Sequence, residues 1–230
     1  MNRRDQVIDL LGLQPRWRLR TPTTLELHAT QEASQEQLEP ATTTQSWTSL
    51  QEEVAHCTRC GLCESRTQTV FGRGSPSARW LLVGEAPGEQ EDRQGLPFVG
   101  AAGQLLENIL AAIGLNSATD VYIANVLKCR PPGNRNPQEN EIAACHPYLA
   151  AQIAHLRPTL IVALGRFAAQ TLLVSKASIS ALRGQVHQYD TTPLIVTYHP
   201  AYLLRNLPEK AKAWEDWCFA KQTFFTTTRG

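Results

Sequence analysis

Four nearly continuous apolar stretches punctuate the chain beyond residue 47: WLLVGEA at 80–86, VYIANVL at 121–127, TLIVALG at 159–165 and PLIVTYH at 193–199. Runs of this length, without strict in-and-out alternation, predict strands of a sheet covered on both faces. Between them, GQLLENILAAIGL at 103–115, NEIAACHPYLAAQIAHL at 140–156 and RFAAQTLLV at 166–174 repeat apolar residues every three to four positions. That spacing predicts helices, with Pro147 placed to kink or divide the second. The alternation implies an α/β fold with a mostly parallel, right-handed sheet and helices on both sides. Ligands in such folds sit beyond the carboxyl ends of the strands.

Residues 21–46 break the pattern, being rich in Thr, Gln and Glu with few large apolar groups. Such a segment buries too little surface to offset the entropy of ordering. It reads as a flexible linker, so the expected organisation is a tail over 1–46 and one folded domain over 47–230. Val7, Leu10, Leu11 and Leu13 could form one face of a short helix that docks a protein partner; a frayed terminus is the plainer reading. Of 230 residues, 42% are hydrophobic and 19% charged, enough for one sizeable core. No apolar run reaches the roughly 18 residues of a membrane span, and the N-terminus lacks the apolar stretch of a secretory signal. The expectation is a cytoplasmic monomer without membrane contact, in which six cysteines are metal ligands or buried thiols rather than disulfides. Net charge is only +1, with 17 basic and 15 acidic side chains beyond residue 50, so any nucleic-acid contact needs a local patch.

The chemistry-bearing residues cluster where strands are predicted to end. GEAPG at 84–88 follows the first strand, Asn125 and Cys129 lie on or just after the second, and HPAYLLR at 199–205 follows the last. Cys57 and Cys60, in CTRC, are spaced so that a tight turn aims both thiolates at one ion or cluster, and Cys129 and Cys145 complete a set of four. Four thiolates suit tetrahedral zinc or an iron-sulfur cluster, although zinc knuckles usually bring a second close pair. A redox CxxC lacks its usual βαβ setting here. Cys63 could serve as a spare ligand, and Cys218, between Trp217 and Phe219, reads as a buried thiol. GEAPG lacks the residues of a P-loop or a dinucleotide fingerprint. It is followed by Glu89, Glu91 and Asp92, then by GLPFVGAAG, where Phe98 provides a flat face for a base and a helix starts near Gly103.

Read in order, CTRCGLC, VGEAPGEQED, GLPFVGAAGQLL, VYIANVLKCRPPGNRNP, Cys145, PTLIVALG, LRGQ and TYHPAYLLR resemble the family 4 uracil-DNA glycosylases, the iron-sulfur branch of that superfamily. The resemblance covers residues 47–206. It implies a three-layer α/β/α sandwich and a structural 4Fe-4S cluster held by Cys57, Cys60, Cys129 and Cys145, without Cys63. It also implies hydrolysis of the bond between uracil and deoxyribose in DNA, at the start of base excision repair. By the same resemblance, Gly84, Ala86 and Gly88 line the base pocket, Phe98 stacks on uracil, Asn125 reads its edge, and His199 donates to the departing base. Related families carry an aspartate where Ala86 stands, so Glu85 is the candidate for positioning water, a turn cap being the alternative. They carry a methyl-excluding tyrosine where Gly88 stands; Glu91 is then the candidate for that role, against a merely solvated side chain.

Tyr202, Leu203 and Leu204 are placed to wedge into the duplex, or else are helix core. Arg73, Lys128, Arg130, Arg135, Arg183 and Arg205 lie near the motifs, with Arg183 and Arg205 the first choices for phosphate contacts. No lysine sits where a Schiff base would need it, so no lyase step is expected. Two other readings remain. A branch of the superfamily traps uracil-DNA through a histidine in an inserted basic loop; PPGNRNP at 131–137 has neither. A silent, polymerase-associated DNA-binding module would instead act through the tail.

Overall fold

In the computed structural model, described over residues 46–228, the four predicted strands lie side by side because each is apolar on both faces. The tail expected over 1–46 lies outside the described residues except for Ser46. Ser46 belongs to the folded part: its Oγ accepts from Ser49 N at 3.1 Å and so caps helix α1, Trp47–Ala55.

The elements that follow are β1 (Arg73–Gly74), β2 (Trp80–Gly84), α2 (Glu89–Gln94), α3 (Ala101–Ala112), β3 (Val121–Asn125), α4 (Glu139–Leu156), β4 (Leu160–Leu164) and α5 (Arg166–Leu173). Then come α6 (Ile179–Leu182), β5 (His187–Tyr189), β6 (Thr192–Thr197), α7 (Pro200–Arg205) and α8 (Glu209–Thr227). The sheet order is β1-β3-β2-β4-β6-β5. The inner four strands are parallel, and the short edge strands β1 and β5 run antiparallel.

Successive strand residues point to opposite faces, which divides the core in two. Leu81, Val83, Ala124, Ile161, Ala163 and Val196 pack with residues of α1, α4 and α5. Trp80, Leu82, Ile123, Val162 and Ile195 pack with Leu106 and Leu110 of α3 and Trp217 of α8. Each such Leu, Ile or Val contributes about 1.5–3 kcal/mol by leaving water. The expected three-layer α/β/α sandwich with a mostly parallel sheet is thus the observed fold.

Two details differ from the sequence expectation. Pro147 does not divide its helix: α4 runs unbroken from Glu139 to Leu156 with Pro147 inside it. Cys218 is exposed, because α8 turns Trp217 into the core and its neighbour outward. Among the described residues no helix is long and apolar enough to cross a membrane.

Candidate functional site

The carboxyl ends of β2, β3, β4 and β6 open onto one cavity of about 690 Å³, lined by Glu85, Ala86, Gly88, Glu91, Phe98, Asn125, His199, Tyr202 and Arg205 among others. Parallel strands deliver these residues together because their ends lie in register, Gly84 opposite Asn125. Gly84 is required by closeness: a Cβ there would overlap Oδ1 of Asn125 and lie 2.8 Å from the Phe98 ring. Gly165, at the end of β4, has φ +94, and its missing Cβ would stand 2.9 Å from the His199 side chain.

Asn125 is only 2% exposed, and its Oδ1 is buried without a hydrogen-bond partner. An orphaned buried acceptor costs about 1–3 kcal/mol, so it marks a place where a ligand donor is wanted. Phe98 takes a left-handed backbone, φ +57, uncommon for a bulky residue, and its ring stacks on His199 at 5.4 Å and 28°. The loop carrying it is pinned by Glu91, whose Oε1 accepts from Val99 N at 3.0 Å and Gly100 N at 3.2 Å. A Cβ on Gly88 would lie 2.7 Å from Oε2 of Glu91, so the carboxylate fills the room beside that glycine.

His199 caps α7, its Nδ1 accepting from Ala201 N at 3.1 Å. An acceptor Nδ1 leaves the proton of a neutral ring on Nε2, which makes Nε2 a donor. Burial, helped by Arg205 and opposed by Glu91, pushes its pKa down to about 4. Burial raises the pKa of Glu85, with Arg166 pulling the other way. Ala86 supplies no carboxylate, which leaves Glu85 at this end of the loop. Arg166 is exposed and also lines the cavity, outside the sequence motifs; the one local signal for it is the Gly165-Arg166 step that closes an apolar strand.

Several cationic and apolar candidates are engaged elsewhere. Arg183 is not available to phosphate: it grips buried Asp216 at 2.6 and 2.9 Å and lies over the Tyr198 ring. Leu203 is 1% exposed and packs with Tyr198 and Ala213, so it is core; Tyr202 (37%) and Leu204 (40%) face outward. Lys128 is buried, Arg73 holds Pro97 O and Glu107, and Arg135 is bidentate on Glu141. Arg130 bonds Asn134. Arg205 is exposed at the end of α7 and lines the cavity.

On the α1–α4 side, Cys57, Cys60, Cys129 and Cys145 line a second, largely apolar pocket with Leu62, Leu127 and Tyr148. Cys63 does not line it. Among the described residues no three Cys, His, Asp or Glu side chains close on a single-ion position. The four thiols ring a space instead, and donors already point at them: Arg66 Nη1 to Cys129 Sγ at 3.1 Å, Lys128 N to Cys145 Sγ at 3.2 Å and Arg59 N to Cys57 Sγ at 3.5 Å. Burial pushes the Cys129 thiol up to about 11, against the pull of Arg66, and raises Cys145 too. Four sulfurs, N–H donors and flanking cations suit a thiolate-bound cluster, whose binding would displace the thiol protons.

A sequence profile of the uracil DNA glycosylase superfamily matches residues 71–218. A type-4 uracil-DNA glycosylase of Sulfurisphaera tokodaii is 45% identical over 175 residues, covering 73% of this chain and 79% of that protein. The type-4 enzyme of Archaeoglobus fulgidus is 46% identical over 160 residues, covering 66% and 80%. That of Thermotoga maritima is 47% identical over 157 residues, covering 67% and 81%.

Proposed function

Because this chain belongs to the uracil DNA glycosylase superfamily and to its type-4 branch, we propose that it removes uracil from DNA by hydrolysing the N-glycosidic bond. The observation that carries the reading is the orphaned Oδ1 of Asn125 in the cavity that the stacked Phe98 and His199 rings also line. Uracil offers an N3–H donor beside an O4 carbonyl, so an amide can accept from the first and donate to the second. Cytosine presents an acceptor at N3 and a donor at C4, which mismatches the same amide.

A nucleotide flipped out of the stack enters the cavity and lies on Phe98. Asn125 fixes its edge. Glu91, beside Gly88, crowds the space where a methyl of thymine would point. Glu85 orients a water whose oxygen bonds to C1′ as the C1′–N1 bond breaks and the electron pair passes to the base; the proton the water sheds passes to Glu85 and the uracil anion is reprotonated as it leaves, so the net reaction adds one water across the bond. Nε2–H of His199 donates to the anionic oxygen that develops, a preorganised dipole in a water-poor site. The protein stays covalently free, and the product is an abasic site for the repair steps that follow. Tyr202 and Leu204 fill the gap in the stack, and Arg205 meets a phosphate.

Cys57, Cys60, Cys129 and Cys145 hold a 4Fe-4S cluster that ties the segment before β1 to the sheet. When bound, the cluster supplies structure rather than chemistry at the base. Six cysteines, none of them in a disulfide, fit a reducing, cytoplasmic setting.

The test is release of free uracil from a single-uracil oligonucleotide, with substrate in excess, beside His199→Ala. Many uracils per protein, lost in the variant, support turnover. Tight binding or a stable adduct without release would move the protein to the trapping class.

A further inference from the structure

Lys128 belongs to neither the base-facing set nor the thiol set, yet it touches both. Its side chain is 1% exposed. Nζ donates to the main-chain oxygen of Asn125 at 2.8 Å and to Oε1 of Gln152 at 2.6 Å. Gln152 is fully buried in α4, and its Nε2 donates to Phe71 O at 2.9 Å. The main-chain N–H of the same lysine donates to Cys145 Sγ. A buried ammonium is expensive to keep, and a methionine would fill the space without that cost. What the ammonium adds is direction: it grips the carbonyl of Asn125 itself, at the end of β3, the residue whose side chain must be aimed.

We infer that Lys128 is a positioning residue for base recognition, holding the Asn125 peptide against Gln152 and the four-cysteine centre so that the Asn125 amide stands at a fixed place in the cavity. This rests on the uracil-reading role of Asn125 proposed above. Acting through another residue, Lys128 sets selectivity and touches neither base nor water.

The full chain carrying its cluster is compared with Lys128→Met. A Lys128→Met/Gln152→Leu double variant, which removes donor and acceptor together, serves if the single variant does not fold. Iron content and visible absorption establish loading. Turnover on uracil-DNA, inhibition by free uracil and affinity for abasic-site DNA are then measured. Loaded variant protein is expected to lose about tenfold in kcat/KM and in the grip on free uracil while binding abasic-site DNA as before. General damage would weaken both affinities together and overturn the inference. So would inhibition by free uracil at the wild-type level. A wild-type protein that releases no uracil would overturn the glycosylase reading, a result distinguishable from a wild type that turns over beside an unaltered variant.

Discussion

The main-chain N–H of Ala201 donates to Nδ1 of His199 at 3.1 Å, so the first turn of α7 chooses which imidazole nitrogen faces the cavity with a proton. The same burial that makes the neutral ring useful has a consequence for stability. In an unfolded chain the imidazole takes its proton near 6.5, in the folded protein at about 4. Between those values the unfolded state binds the extra proton. This contribution is therefore complete above pH 6.5 and is lost as the pH falls towards 4, by up to about 3 kcal/mol. Urea midpoints measured at pH 7 and pH 5 should lie closer together in His199→Gln than in the wild type, because the variant lacks the group that titrates between them. Equal slopes would contradict the neutral, buried ring.

Gly84→Ala tests the closeness of β2 to the recognition residue. The added methyl overlaps Oδ1 of Asn125 and presses on Phe98, so the amide must turn or the ring must leave. Turnover on uracil-DNA should fall at least about tenfold, comparable to the roughly 1–3 kcal/mol expected of Asn125→Ala. A fully active Gly84→Ala would mean that neither side chain touches the base.

Arg183 and Arg205 should behave oppositely. Arg183→Ala strands Asp216, which is 2% exposed, and should cost about 3 kcal/mol of stability, read as a lowered denaturant midpoint. It should leave the salt dependence of DNA binding unchanged. Arg205→Ala should keep stability and reduce the slope of log affinity against log salt by about 0.7–0.9.

Removing the cluster should loosen the segment from Cys57 to Cys60. Oxidation followed by chelation, or Cys129→Ala, is expected to lower Tm by more than about 4 °C, the equivalent of about 2 kcal/mol in a domain of this size. Unchanged melting in protein shown to have lost its iron would sink the structural role.

Deleting residues 1–45 should preserve uracil release, whereas Ser46→Ala in the same shortened chain should cost about 1 kcal/mol by uncapping α1. Loss of release on the first deletion would give the tail a part in the enzyme and revive the docking reading.

Strand-forming segments, the layer order and the motifs at strand ends were legible from the sequence, because runs such as LIVAL at 160–164 can only be buried on both sides and because glycine and proline mark where they stop. The edge strands β1 and β5 and helix α8 were not, since two- or three-residue pairings and a weakly patterned helix carry little local signal. Residue type and spacing likewise marked the four cysteines as ligands, whereas His199 and Asn125 stood out only through the resemblance of their motifs to the family. Which of the two arginines is paired and which stays exposed beside the cavity was a tertiary decision. Arg183 and Arg205 look equivalent along the chain, but only the packing of α8 sets Asp216 beside the first and leaves the second exposed. Leu203 and Leu204 are neighbours that the helix turns to opposite sides. The duty of Lys128 exists only once α4 brings Gln152 to β3, because a hydrogen bond across 24 positions of chain depends on the fold that closes it.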